Sequence, residues 1–110
     1  MAYDEALAAR IRDRIGAAPD LAEKRMFGGL AFLIGGNMAV AASGQGGILV
    51  RVDPAESDAL VAATPATPME MRGRQMAGWL RLASDDVASD PALAEWVERG
   101  VAYARSLPPK

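Results

Sequence analysis

The arrangement of the whole chain follows from residues 24–52, which read KRMFGGLAFLIGGNMAVAASGQGGILVRV. Apolar runs of about five to seven residues, the length of ordinary strands, are separated there by glycine clusters. Glycine supplies the positive φ that hairpin turns need, and connections this short join antiparallel neighbours. The segment therefore predicts strands at Leu30–Ile34, Met38–Ala42 and Ile48–Val52, with Lys24–Met26 as a short lead-in.

Helical patterns lie on both sides of this segment. Downstream, Asp53-Pro54 is typical of a helix start, and this helix is expected to run to about Ala63, before Pro65. Upstream, a helix that ends near Gly16 is predicted, because apolar residues recur every four positions. The residues of that stripe are Tyr3, Leu7, Ile11 and Ile15.

The last third of the chain predicts two further strands and a helix. Residues 69–72 and 79–82 alternate in polarity, with Gly73 and Gly78 flanking the turn between them, after a loop at Thr64–Pro68. Asp90-Pro91 then starts a helix. Its apolar face comprises Leu93, Trp96, Val97, Gly100, Ala104 and Leu107. The order α-β(3)-α-β(2)-α predicts an α+β two-layer sandwich with an antiparallel sheet, in one domain over residues 1–110.

The composition excludes several kinds of chemistry. With 51% hydrophobic and 24% charged residues, the 110-residue chain can build a packed core. It has no cysteine and no histidine, which excludes zinc fingers, thiol catalysis and a histidine general base within it. Carboxylates show no metal-ligand spacing, and no glycine cluster has the phosphate-loop pattern. We therefore predict no catalytic residue, no metal site and no cofactor, and a protein that is not an enzyme.

Charge gives only a local signal for binding. The net charge of −2 provides no general attraction to nucleic acid or to anionic lipid. Residues 69–83 carry a positive excess, with Arg72, Arg74 and Arg81 against Glu70 alone, and Arg51 could join them. Three arginines are more typical of a solvated sheet face than of a polyanion site. They are nevertheless the candidate binding residues of this chain. No apolar segment has the length of a membrane span, and no secretory signal is visible. We therefore expect a cytoplasmic location and no contact with a membrane.

The methionines leave two interpretations open. Five of them lie in or beside predicted strands: Met26, Met38, Met69, Met71 and Met76. They either fill the core or form an adaptable sheet face for a partner. If the side with Met69 and Met71 is not covered within one chain, a homodimer would bury it. Trp79 and Trp96 lie on apolar patterns typical of core residues.

The stretch from Lys24 to Phe32 resembles the Met-Phe-Gly-Gly signature of the N-terminal domain of TfoX/Sxy competence regulators. The residues that carry it are Arg25, Met26, Phe27, Gly28, Gly29 and Phe32. Asn37-Met38-Ala39, the 71–79 strand pair and the last helix also look like that family. The resemblance implies a fold similar to type III secretion chaperones, an association with natural competence, and no recognised active site. Full-length members continue into a helical C-terminal domain that these residues do not include.

The expected function is a non-enzymatic regulatory module that binds an unidentified protein partner. The signature itself is interpreted as structural: Arg25 would hold a carboxylate near the first helix, Phe27 and Phe32 would fill the core, and Gly28-Gly29 would permit a bulge. One alternative is direct nucleic-acid binding through Arg72, Arg74 and Arg81. Another is a small-molecule binder or enzyme with an unrecognised site framed by the glycine-rich hairpins.

Overall fold

Three α-helices pack on one face of a six-stranded antiparallel sheet. The structure, a computed structural model, describes residues 3–26, 28–71 and 73–109; the side chain of Met71 is outside the described part. The helices are α1 (Glu5–Ile15), α2 (Ser57–Ala63) and α3 (Asp90–Ser106). The strands are β1 (Leu21–Met26), β2 (Gly29–Ile34), β3 (Asn37–Ala42), β4 (Ile48–Arg51), β5 (Thr67–Met71) and β6 (Arg74–Leu82), in the spatial order β1-β2-β3-β4-β6-β5.

The predicted α+β class is confirmed, but the first group contains four strands rather than three. The segment interpreted as a lead-in is the second half of β1, which pairs with β2 from Leu21 opposite Ile34 to Met26 opposite Gly29. This strand lies at an edge of the sheet, and its residues 22–25 are exposed. An edge strand exposed on both faces lacks apolar alternation, so the sequence pattern did not reveal it.

The prediction that Gly78 flanks a turn is wrong, because this glycine lies inside β6. The register of β5 against β6 shifts between Pro68 and Met69, and Gly78 has a φ of +85° at the corresponding bulge. Its N–H donates to the buried hydroxyl of Ser57 at 2.7 Å, and its carbonyl accepts from the Val52 N–H at 2.8 Å. The bulge therefore ties the hairpin to the start of α2 and to the end of β4.

The helix boundaries largely follow the predicted signals. The first helix ends at Gly16. The carboxylate of Asp53 accepts a backbone N–H, and Pro54–Glu56 form a single 3-10 turn that leads into α2. For α3 the capping side chain is Ser89, which places Asp90 and the following proline in the first turn.

The main core lies between the helices and the sheet. The predicted apolar face of α3 is buried at Leu93, Trp96, Val97, Gly100 and Ala104. A Cβ atom at Gly100 would collide with the carbonyl oxygen of Ala39 on β3, so only glycine allows α3 to lie this close to the sheet. The other elements contribute Leu7, Ile11, Phe32, Val40, Val50 and Leu80, among others.

We predict that Trp96→Ala lowers the free energy of unfolding by about 3–5 kcal/mol, because deleting a buried aromatic ring leaves a cavity. Trp96 is 3% exposed in the main core. The control is Glu95→Ala on the same helix, an exposed position where loss of the ion pair with Arg99 is expected to cost less than about 1 kcal/mol. Urea unfolding measures both, and equal effects of the two substitutions would contradict the packing of α3.

Candidate functional site

The face of the sheet opposite the helices carries a second apolar cluster. Side chains of successive strand residues point to opposite faces, so the neighbours of main-core residues form this helix-free face. All members of the cluster lie on strands. Ala31, Met38, Ala41, Leu49 and Met69 are buried in it, and Met26, Leu33 and Trp79 are partly buried at its margin.

Two arginines share the helix-free face. The register of β4 against β6 places Leu49 opposite Arg81 and Arg51 opposite Trp79. Both arginines are half-buried. The strand positions described on this face include no aspartate or glutamate, and neither Arg51 nor Arg81 forms a salt bridge with a described residue. The face therefore combines apolar and cationic groups without compensating acids.

The guanidinium groups on this face are held in place by their neighbours. The guanidinium carbon of Arg51 lies 5.1 Å from the ring centroid of Trp79 and 5.7 Å from that of Tyr103 on α3. Both distances allow cation–π attraction. Arg81 donates from Nη1 to the hydroxyl oxygen of Ser43 at 3.1 Å. Neither contact neutralises the positive charge, so both groups can still bind an anion.

The helical layer has the opposite electrostatic character, because its arginines are paired with acids. Each described salt bridge involves α1 or α3. The pairs are Arg10–Asp90 (3.1 Å), Arg12–Glu23 (2.6 Å), Arg14–Glu98 (2.9 Å), Arg99–Glu95 (3.5 Å) and Arg105–Asp20 (3.3 Å). The hydrogen bond from Arg12 lowers the pKa of Glu23, and the one from Arg105 lowers the pKa of Asp20. The arginines of the helical layer are thus compensated by acids, whereas Arg51 and Arg81 on the helix-free face are not.

The predicted binding arginines are only partly brought together. Arg81 lies beside Arg51, whose participation the sequence left open. Arg74 is exposed at the far end of β6, where its register partner on β5 is Met71; Met71 is four residues, roughly 13 Å, from Thr67, the partner of Arg81. Arg72 lies outside the described residues. The contact of Arg51 with Tyr103 was not predicted, because no sequence pattern connects two positions so far apart in the chain.

The signature glycines lie at a hairpin turn and at close contacts between backbones. Gly28 has a φ of +74° in the turn between β1 and β2. A Cβ atom at Gly29 would collide with the carbonyl oxygen of Ala42, and one at Gly44 would collide with that of Gly28. These glycines let two hairpin turns meet backbone against backbone. The expected bulge does not lie at the glycines but between Phe32 and the next residue of β2.

The other signature residues have different surroundings. Phe32 is fully buried in the main core, and Met26 lies at the margin of the second cluster. Arg25 is exposed opposite Leu30 and makes no ion pair with a described residue; Arg12 binds the carboxylate of Glu23 instead. Phe27 lies outside the described residues.

The methionines mainly fill the second cluster. Met38 and Met69 are buried within one chain, whereas Met76 is 36% exposed. Because Met69 is buried within one chain, it does not support a homodimer formed through an uncovered methionine face. The side chain of Met71 lies outside the described part. The homodimer stays a prediction.

The surface hollows lined by described residues have few unpaired polar groups that could bind a ligand together. One of about 310 Å³ between α1 and α3 is lined by Arg10, Asp13, Arg14, Asp90 and Leu93. Its arginines already pair with acids of α3. Within residues 3–26, 28–71 and 73–109, no group of three or more acidic side chains could hold a metal ion. No helix in this described part is long and apolar enough to cross a membrane.

The fold and this charge distribution define a small α+β domain with one ion-paired helical layer and one cationic sheet face. Residues 13–104 match the family model of the TfoX N-terminal domain, and the chain belongs to that family. This family is not a known enzyme family. No curated protein sequence shows significant similarity to the chain.

We predict that Gly29→Ala lowers the free energy of unfolding by about 1–3 kcal/mol, because the added methyl group collides with backbone rather than with a movable side chain. The matched control is Gly28→Asn, where the surroundings are open and asparagine tolerates the left-handed backbone. Thermal and urea unfolding should show the larger loss for Gly29→Ala. Equal losses would mean that turn conformation, and not close approach, explains the glycine pair.

Proposed function

We propose that this protein is a non-enzymatic regulatory module that acts by binding another protein. The observation that carries the proposal is the segregation of charge. Arginines on the helical layer are compensated by acids, while Arg51 and Arg81 on the helix-free face have no acidic partner among the described residues. Unpaired, pre-oriented cations beside apolar side chains are typical of recognition surfaces.

Membership of the TfoX N-terminal family supports a regulatory role. The name of that family points to competence, and a link to transcriptional or competence regulation is the finer form of the proposal. The module would bind a protein of that regulatory system and would need no cofactor. Its cytoplasmic location stays a prediction from the sequence.

We expect affinity capture of the tagged protein from its native cells to recover a specific partner that the double variant Arg51→Gln/Arg81→Gln no longer captures. Mass spectrometry identifies the partner, and circular dichroism checks that the variant folds. Arg25→Gln is the control, since Arg25 is exposed and pairs in register with Leu30 of the main core. Failure to capture any specific partner under several growth conditions would contradict the proposal.

Nucleic-acid binding is the second candidate, favoured by the shared position of Arg51 and Arg81 on one face. The net charge of −2 counts against it, because non-specific affinity grows with the number of phosphates that the cations of a protein neutralise. We expect no stable complex with DNA or RNA in a mobility-shift assay, even at low salt where phosphate contacts are strongest. A complex that Arg51→Gln abolishes would favour this candidate over protein binding.

A further inference from the structure

We propose that the helix-free face binds an extended acidic segment of a partner protein, with two carboxylates spaced two residues apart bound by Arg51 and Arg81. This rests on the proposed function and names the chemistry of the partner. The segment would lie across β4 and β6, with its apolar side chains against Trp79 at the margin of the second cluster.

The spacing of the two arginines supports this partner. Arg81 lies opposite Leu49 and Arg51 lies opposite Trp79, so the arginines occupy diagonal positions on adjacent antiparallel strands. Diagonal neighbours on one face are about 7–8 Å apart. In an extended chain, side chains two residues apart point the same way and lie about 6.6–6.8 Å apart. The spacing of an Asp-x-Asp or Glu-x-Glu pattern is therefore close to the spacing of the two strand positions from which the arginine side chains extend.

The two guanidinium groups are oriented for carboxylates before a ligand arrives. The planar fork of arginine forms two parallel hydrogen bonds with a carboxylate. The ring of Trp79 at 5.1 Å limits the movement of Arg51, and the Ser43 hydroxyl holds Arg81 at 3.1 Å. Because side chains that are already ordered lose less entropy on binding, this arrangement favours affinity.

The surroundings favour a protein segment over a nucleic acid. A phosphate backbone is bound through many cations, whereas the half-buried cations of this face are Arg51 and Arg81, close to Trp79; Lys24, opposite Ala31, is exposed on the edge strand. No acid lies at the described strand positions of the face, so carboxylates would meet no repulsion there. An acidic and partly apolar peptide complements both features.

The experiment measures fluorescence anisotropy of labelled synthetic peptides with the full chain. The first peptide alternates aspartate with threonine, the second replaces each aspartate by asparagine, and the third carries the same number of aspartates at every third position. We expect the alternating peptide to bind about tenfold or more tightly than either control. Arg51→Gln and Arg81→Gln should each weaken binding about tenfold. Arg25→Gln should leave it unchanged.

Each other result overturns the inference. If the alternating peptide does not bind saturably, or if the asparagine peptide binds equally well, the inference of an acidic partner is wrong. Equal binding of the third peptide removes the spacing argument. If a single-stranded DNA oligonucleotide binds more tightly than the alternating peptide, and loses affinity with Arg51→Gln, the ligand of this face is a nucleic acid and not a protein segment. A cellular partner captured equally well by the folded double variant would leave the interaction module standing and exclude this face as its site.

Discussion

Close contact between backbones is the constraint on which the rest of this structure depends. At one end of the sheet, Gly29 lies against the carbonyl of Ala42, and Gly47 lies against the carbonyl of Leu82. On the helical side, Gly100 lets α3 rest directly on Ala39. A side chain at any of these positions would hold apart the elements that it now joins. The turns, the sheet and the last helix are therefore fixed relative to one another by the absence of Cβ atoms.

This close packing allows the two faces of the sheet to serve different purposes. The helical face buries the large apolar residues, and arginine–carboxylate pairs lie on the outside of its helices. The other face carries no described helix: small residues such as Ala31 and Ala41 lie at its centre, and the ring of Tyr103 from α3 reaches the guanidinium group of Arg51. Long side chains such as Arg51 and Arg81 can lie over such a surface while keeping their charge accessible. The main core and the proposed recognition surface thus lie on opposite faces of the sheet.

The sequence predicted the elements whose signals are local. Four-residue apolar spacing located α1, the Asp90-Pro91 start and a one-sided apolar face located α3, and glycine clusters located the turns between β2, β3 and β4. It missed β1, whose residues are exposed, and misplaced Gly78, because a bulge interrupts alternation without any compositional mark. Arg81 was identified from charge alone. The contacts of Arg51 with Trp79 and Tyr103 depend on strand register and helix placement, which only the folded chain determines.

The position of α3 has a consequence for how the chain reaches this state during synthesis. The strands that α3 covers, β2, β3 and β4, are complete by residue 51, whereas Trp96 and Gly100 follow much later. Until residues 90–106 have left the ribosome, the apolar face of the sheet formed by Phe32, Val40 and Val50 lacks its largest cover. Partly made chains expose such surfaces to aggregation. Burial of this apolar face therefore depends on a helix that is synthesised after all six strands.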